Sequence, residues 1–100
     1  MGKVVYSRKA IEDLTSIWKY TAKEWSEKQA DAYYRMLVSS IRKLLERPLS
    51  LGRSYDEIAF GLRGCKAGRH ILFYRICGNG DVEIIRILHQ RMDLKRRMQD

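Results

Sequence analysis

Three arginines, two histidines and a tyrosine carry the chemistry this sequence could perform. Arg63, Arg75 and Arg86 fall in the last 40% of the chain, interleaved with His70, Tyr74 and His89. A guanidinium grips phosphate oxygens with two parallel N–H groups. An imidazole or a phenol can move a proton. Together these groups could neutralise a scissile phosphate and exchange protons with a hydroxyl nucleophile and a leaving oxygen. Such chemistry requires all of them within a few ångströms. Each residue also has a plainer reading. Tyr74 suits a core, and His89 suits a local hydrogen bond where a strand turns into a helix. Arg86 is harder to dismiss. A mid-strand arginine among aliphatic residues needs a carboxylate, in this chain or in another. Cys65 and Cys77 form no CxxC, and no cysteine–histidine cluster has zinc spacing. No metal and no cofactor are expected.

The composition narrows what these residues can serve. A chain of 100 residues with 45% hydrophobic and 32% charged residues reads as one soluble globular domain spanning 1–100. No apolar run approaches the ~18 residues of a membrane span, and the first residues lack a signal-peptide core. A cytoplasmic location is therefore expected. The net charge of +8 is spread over both halves and suits an anionic partner, whether nucleic acid, a nucleic-acid enzyme or an acidic protein. A plain nucleic-acid-binding module is disfavoured. No helix-turn-helix recognition helix is legible, nor are surface aromatics set for base stacking.

The elements that must position these groups follow from periodicity. Lys3 to Tyr6 is β-prone, and Ser7 is a helix N-cap. Ile11, Leu14, Ile17, Trp18, Thr21 and Trp25 recur at helical spacing, which predicts a helix over about residues 8–24. Ser26 with Gln29 three residues on makes a capping box. Ala30, Tyr34, Leu37, Ile41 and Leu44 then form one apolar stripe, ended by Pro48. Two helices with so short a link should pair as an antiparallel hairpin. Residues 47–58 read as a loop. Three strands follow, over about 61–65, 69–77 and 81–88. After Leu88 the chain turns helical and polar. The expected class is α+β: an N-terminal strand, a helix hairpin packed on a three-stranded antiparallel meander, and a short C-terminal helix.

Turn chemistry suggests a register. A two-residue type I′ turn at Asn79-Gly80 sets Arg75 opposite Ile84, Phe73 opposite Arg86 and Ile71 opposite Leu88 on one face. Ile76/Glu83, Tyr74/Ile85, Leu72/Ile87 and His70/His89 take the other. A three-residue loop at Lys66-Ala67-Gly68 sets Cys65 opposite Arg69 and Arg63 opposite Ile71. Arg63, Arg75 and Arg86 then share one side, away from His70, Tyr74 and His89. Leu62, Leu72, Ile85 and Ile87 share the other and should pack on the helices. The first side also bears Ile71, Phe73, Ile84 and Leu88. It is apolar and cationic together, so the C-terminal segment or a partner chain should cover it. In this register Cys77 lies about eight strand positions from the residue facing Cys65, roughly 26 Å, too far for a disulfide.

The element order, with Gly68-Arg69-His70-Ile71-Leu72-Phe73-Tyr74-Arg75-Ile76 and the run from Val82 to Asp93 ending Leu88-His89-Gln90-Arg91-Met92-Asp93, resembles the ParE/RelE superfamily of bacterial toxins. Leu62-Arg63, Asp13-Leu14 and Ile17-Trp18 add to the likeness, and the ParE branch fits best. The resemblance implies a toxin of a type II toxin–antitoxin system, of the kind tied to plasmid stabilisation. Its implied target is DNA gyrase, and it would be neutralised by a ParD-type antitoxin. Operator DNA would be reached only through the antitoxin. The alternative is a RelE-like ribosome-dependent mRNA endoribonuclease, with Arg63, Arg75, Arg86 and His89 as its catalytic set. The chain after Asp93 offers no tyrosine or histidine where several nuclease relatives place a catalytic group. A protein inhibitor rather than an enzyme is therefore expected. Antitoxin and target contacts are expected at the apolar–cationic face of Arg63, Ile71, Phe73, Arg75, Ile84, Arg86 and Leu88. Further contacts are expected at the hairpin edges carrying Trp18 and Trp25, and at Arg91, Lys95, Arg96 and Arg97. The last three could equally be a solvated helix end.

Overall fold

Two serines start the helical layer. The Ser7 hydroxyl accepts the Ala10 N–H at 3.0 Å and opens helix α1, Arg8–Glu24. The Ser26 hydroxyl does the same for the Gln29 N–H at 3.0 Å and opens α2, Glu27–Glu46. Each satisfies an N–H that the first helical turn leaves unpaired. The computed structural model describes residues 2–92 and 94–98. Asp93 and the Lys95 side chain, both singled out by the sequence, lie outside the described residues.

Strand β1, Val4–Tyr6, precedes the helices. After them come β2, Arg53–Ser54; β3, Arg63–Ala67; β4, His70–Ile76; β5, Val82–His89; and the short helix α3, Leu94–Met98. The sheet order is β1-β5-β4-β3-β2, with β1 parallel to β5 and the other pairs antiparallel. The architecture is the expected α+β arrangement. The short strand β2 was not expected, because Arg53-Ser54 lies inside what reads as loop. Among the described residues no helix is long and apolar enough to cross a membrane.

Both hairpin loops differ in length from the turn-based expectation. The β3–β4 connection is the two-residue turn Gly68-Arg69, with Ala67 opposite His70. Gly68 has φ +60 and, among the described residues, no non-glycine residue has positive φ, the pattern of a type II′ turn. The β4–β5 connection is the three-residue loop Gly78-Asn79-Gly80. It is closed by the Cys77 N–H to the Asp81 carbonyl at 2.8 Å, with Gly80 at φ +89. A β-bulge at Ile85 then realigns the strands. Below it Phe73 faces Arg86, Leu72 faces Ile87, Ile71 faces Leu88 and His70 faces His89, as the sequence suggests. Above it Tyr74 faces Ile84 and Arg75 faces Glu83.

These shifts redistribute the core. Arg63 now faces Tyr74 and Cys65 faces Leu72, so Arg63 sits on the helix side, apart from Arg75 and Arg86. The helix-side core joins Ala10, Leu14, Leu37, Ile41 and Leu44 to Leu72, Tyr74, Val82, Ile84 and Ile87. Ile84, expected on the open face, is wholly buried there. Leu62 and Ile85, expected against the helices, belong to the other face. There Leu62, Ile71, Phe73 and Leu88 form a second core, covered by Tyr55, Ile58, Ala59 and Met98. The apolar half of the expected contact face is thus closed by the chain's own loop and C-terminal helix. Cys65 and Cys77 are free thiols. With Cys65 opposite Leu72, Cys77 lies about five residues along, roughly 17 Å away.

Candidate interaction surfaces

Arg86 finds its carboxylate inside the chain. Beyond Tyr6 the edge of β5 has no strand partner, and α1 runs beside it. The Ser7 N–H donates to the Ile84 carbonyl at 2.9 Å, and its hydroxyl donates to the Ile85 carbonyl at 2.7 Å, satisfying the bulge. Nearly two helical turns on, Asp13 accepts three bonds: Arg86 Nε at 2.9 Å, Arg86 Nη2 at 3.0 Å and the Ile87 N–H at 2.9 Å. Both side chains of the pair are more than four-fifths buried. The third guanidinium nitrogen, Nη1, donates to the Arg97 carbonyl at 3.0 Å and ties α3 to the sheet. A bidentate, part-buried pair of this kind holds both charges in place and leaves little for a ligand. Asp13 was legible as part of a family likeness, not as the partner of Arg86. The demand for a carboxylate was legible at Arg86 itself.

Arg63 is also engaged. Its Nε donates to the Tyr74 hydroxyl at 3.3 Å, and Nη2 donates to the carbonyls of Leu49 at 3.0 Å and Gly52 at 2.9 Å. The Tyr74 hydroxyl donates to the Pro48 carbonyl. Tyr74 is fully buried, so its phenol is a strut holding residues 48–52 against the sheet. The expected separation of Arg63 from Tyr74 is therefore corrected, since the two are in contact. The contact is a structural one, with donors and acceptor committed to backbone carbonyls. Arg75, in contrast, is exposed, and its Nη2 reaches the Phe60 carbonyl at 3.3 Å.

The histidines gather at the far end of the sheet. His70 Nδ1 lies 2.6 Å from the Tyr33 hydroxyl, which also accepts the Arg69 N–H at 3.0 Å. The direction of the Tyr33–His70 bond follows the tautomer of the imidazole. The His89 ring stands edge-on to His70, centroids 5.3 Å apart, and its Nδ1 accepts the Arg91 N–H at 3.1 Å. Burial, then the neighbouring His89, push His70 down to about 4, against a smaller opposing pull from Asp13. Burial likewise pushes the Tyr33 phenol up. His70 is therefore a neutral bracket between α2 and the β3–β4 turn. The three arginines and two histidines do not converge on one point. Among the described residues no group of three His, Cys, Asp or Glu could hold a metal ion.

The helix hairpin keeps an open groove. It is lined by Tyr6, Leu14, Trp18, Tyr34 and Val38 among others, with a volume of about 550 Å³. Trp18 is half-buried there, and its indole N–H donates to Asp31 at 2.9 Å, bracing α1 against α2. Ile11 and Tyr34 are exposed along its rim, whereas Trp25, the exposed C-cap of α1, is not part of its lining. Arg91, Arg96 and Arg97 are exposed near the C-terminus.

A helix hairpin against a sheet with a parallel edge strand is a fold shared with chains of two solved bacterial toxin–antitoxin systems. The chromosomal ParDE toxin–antitoxin system of P. aeruginosa superposes with a TM-score of 0.78 at 22% identity, over 89% of this chain and 96% of that one. The RelBE2 toxin–antitoxin complex of Mycobacterium tuberculosis superposes at 0.65 and 23% identity, over 89% and 98%. The sequence is 40% identical to Toxin ParE1 of Mycobacterium tuberculosis over 97 residues, 97% of this chain and 98% of the relative. It is 39% identical to Toxin ParE1 of Caulobacter vibrioides over 89 residues, 89% and 90% of the two chains. Residues 4–94 match the family profile described as ParE toxin of type II toxin-antitoxin system, parDE. This chain belongs to that family.

Proposed function

We propose that this chain acts as a non-catalytic protein inhibitor of DNA gyrase that blocks replication, held in check by a ParD-type antitoxin. The observation that carries the reading is the state of its cationic groups. Arg86 is committed to Asp13 and Arg63 to backbone carbonyls, and Arg75 stands apart from both histidines. A phosphoryl site needs cations and proton carriers preorganised around one position. A toxin that works by docking needs none. Membership of the ParE family supports the same choice.

The antitoxin's place in this reading is the hairpin groove. An amphipathic segment that folds on binding could lay its apolar face between α1 and α2 and meet Lys19 with a carboxylate. The free thiols suit a reducing cytoplasm. Operator DNA would be contacted through the antitoxin.

Purified protein in gyrase supercoiling and cleavage assays, beside a ribosome-dependent mRNA cleavage assay, tests this. Loss of supercoiling with intact mRNA is the expected result. Codon-phased mRNA cuts with gyrase unaffected would establish instead the RelE-like activity that the RelBE2 likeness keeps in view.

A further inference from the structure

Several large apolar side chains stand outside both cores, and one of them sits on a tightly bonded turn. Phe60 is 92% exposed, above every other large hydrophobic residue described. Its loop is well tied. The Tyr55 N–H donates to the Leu62 carbonyl at 2.8 Å, and the Ile58 and Ala59 N–H groups both reach the Tyr55 carbonyl. The Leu62 N–H returns to Ala59 at 3.0 Å, and the Asp56 carboxylate takes the Gly61 N–H at 2.8 Å. Gly61, at φ +79, supplies the left-handed residue that the turn requires. Tyr55, Ile58 and Ala59 pack inward on the second core, the Tyr55 ring edge-on to Phe73 with centroids 5.1 Å apart. Phe60 alone is left out, and Arg75 is anchored to its carbonyl.

A rigid turn that exposes a phenyl ring loses little entropy when the ring is buried by a partner. Exposed aromatics beside an arginine are the side chains that dominate protein interfaces. The geometry points to the Phe60 turn as the target-docking knob, its ring entering an apolar pocket on the target protein and Arg75 meeting a carboxylate at the pocket's rim. Charge complementarity favours that partner, since the chain carries +8 overall. A protein fits better than a nucleic acid. The Asp56 carboxylate is bonded within the same turn, Glu57 is paired with Arg53 at 3.4 Å, and a single phenyl gives no stacking platform. Hydrogen bonds from Gly61 and then Ser54 hold the Asp56 carboxyl below its usual range, so it stays charged. The turn packs on the face of the sheet away from the helices, whereas the groove lies between the helices. An antitoxin in the groove would leave the turn uncovered. The naming of the target rests on the gyrase-directed reading, while the knob itself does not.

The test compares wild type with Phe60→Ser and Phe60→Leu in growth arrest after induced expression and in gyrase supercoiling, with urea unfolding as a control. Phe60→Ser should lose roughly thirtyfold in potency, the size of an interface hot spot. Phe60→Leu should recover part of it, and the unfolding midpoints should coincide. Wild-type potency in Phe60→Ser would overturn the inference. If wild type arrests growth without touching supercoiling, the gyrase reading fails, and the growth comparison still decides the role of Phe60. Loss of RNA binding or mRNA cleavage in Phe60→Ser would overturn the protein-pocket assignment. A wild-type chain inert in every assay would overturn both.

Discussion

Arg86 and Arg75 stand on the same face of the sheet, and their surroundings have opposite designs. Around Arg86 the chain closes on itself. Asp13 takes two of its nitrogens, the Arg97 carbonyl takes the third, and the pair is largely buried. Around Arg75 the chain stays open. The guanidinium is exposed and has one long bond, to the backbone carbonyl of the exposed Phe60. The difference teaches that a strand arginine among aliphatics is not by itself a ligand site. Its partner decides, and here the edge of β5 recruits one arginine for folding while the Phe60 turn displays the other.

Breaking the closed region should have the largest effect. Arg86→Ala leaves the part-buried Asp13 carboxylate without its ion pair, and about 3 kcal/mol of stability should be lost. Asp13→Ala should cost a similar amount, since it also strips the Ile87 N–H of its acceptor. Urea unfolding followed by circular dichroism measures both. An intermediate effect is expected at the third arginine. Tyr74→Phe removes the hydroxyl that joins Pro48 to Arg63 and should cost about 2 kcal/mol. It should also loosen residues 48–52, seen as faster amide exchange.

The His70 bracket predicts a pH dependence with a definite sign. Its folded pKa of about 4 lies below the ordinary 6.5, so the unfolded chain takes the proton more readily. The stability it contributes is complete above about pH 6.5 and is lost as pH falls from there toward 4. The urea midpoint should drop between pH 7.5 and 5, and His70→Gln should flatten that drop. The smallest effect belongs to the open region. Phe60→Ser should shift stability by less than about 0.5 kcal/mol, because the ring touches water in the folded state. A large destabilisation there would erase the contrast between the two regions.

The sequence made the elements legible and left their fine alignment hidden. Ser7, Ser26 and Pro48 mark the helix ends because capping and proline chemistry are local. Asn79-Gly80 marks a hairpin, but not whether two or three residues form its loop. Gly68 alone does not say whether its turn is type II′ or a three-residue loop. Each such choice moves the register, and an odd shift sends Arg63 to the other face. The bulge at Ile85 is set by Ser7, almost 80 residues away, through a bond that no local pattern reveals. The partner of Arg86 was demanded by the cost of a buried cation, while its identity as Asp13 required the packing of α1 on β5. Phe60 was passed over because it falls between the loop read over residues 47–58 and the strand expected from about residue 61.

The claim that Arg86 serves the fold is tested most directly by a double-mutant cycle. Asp13→Ala, Arg86→Ala and the double variant would be unfolded in urea beside wild type. A coupling of about 2 kcal/mol or more is predicted, with the double variant little worse than either single one. Additive losses would contradict it. So would an Arg86→Ala protein that is fully stable yet no longer arrests growth, because Arg86 would then be a contact residue.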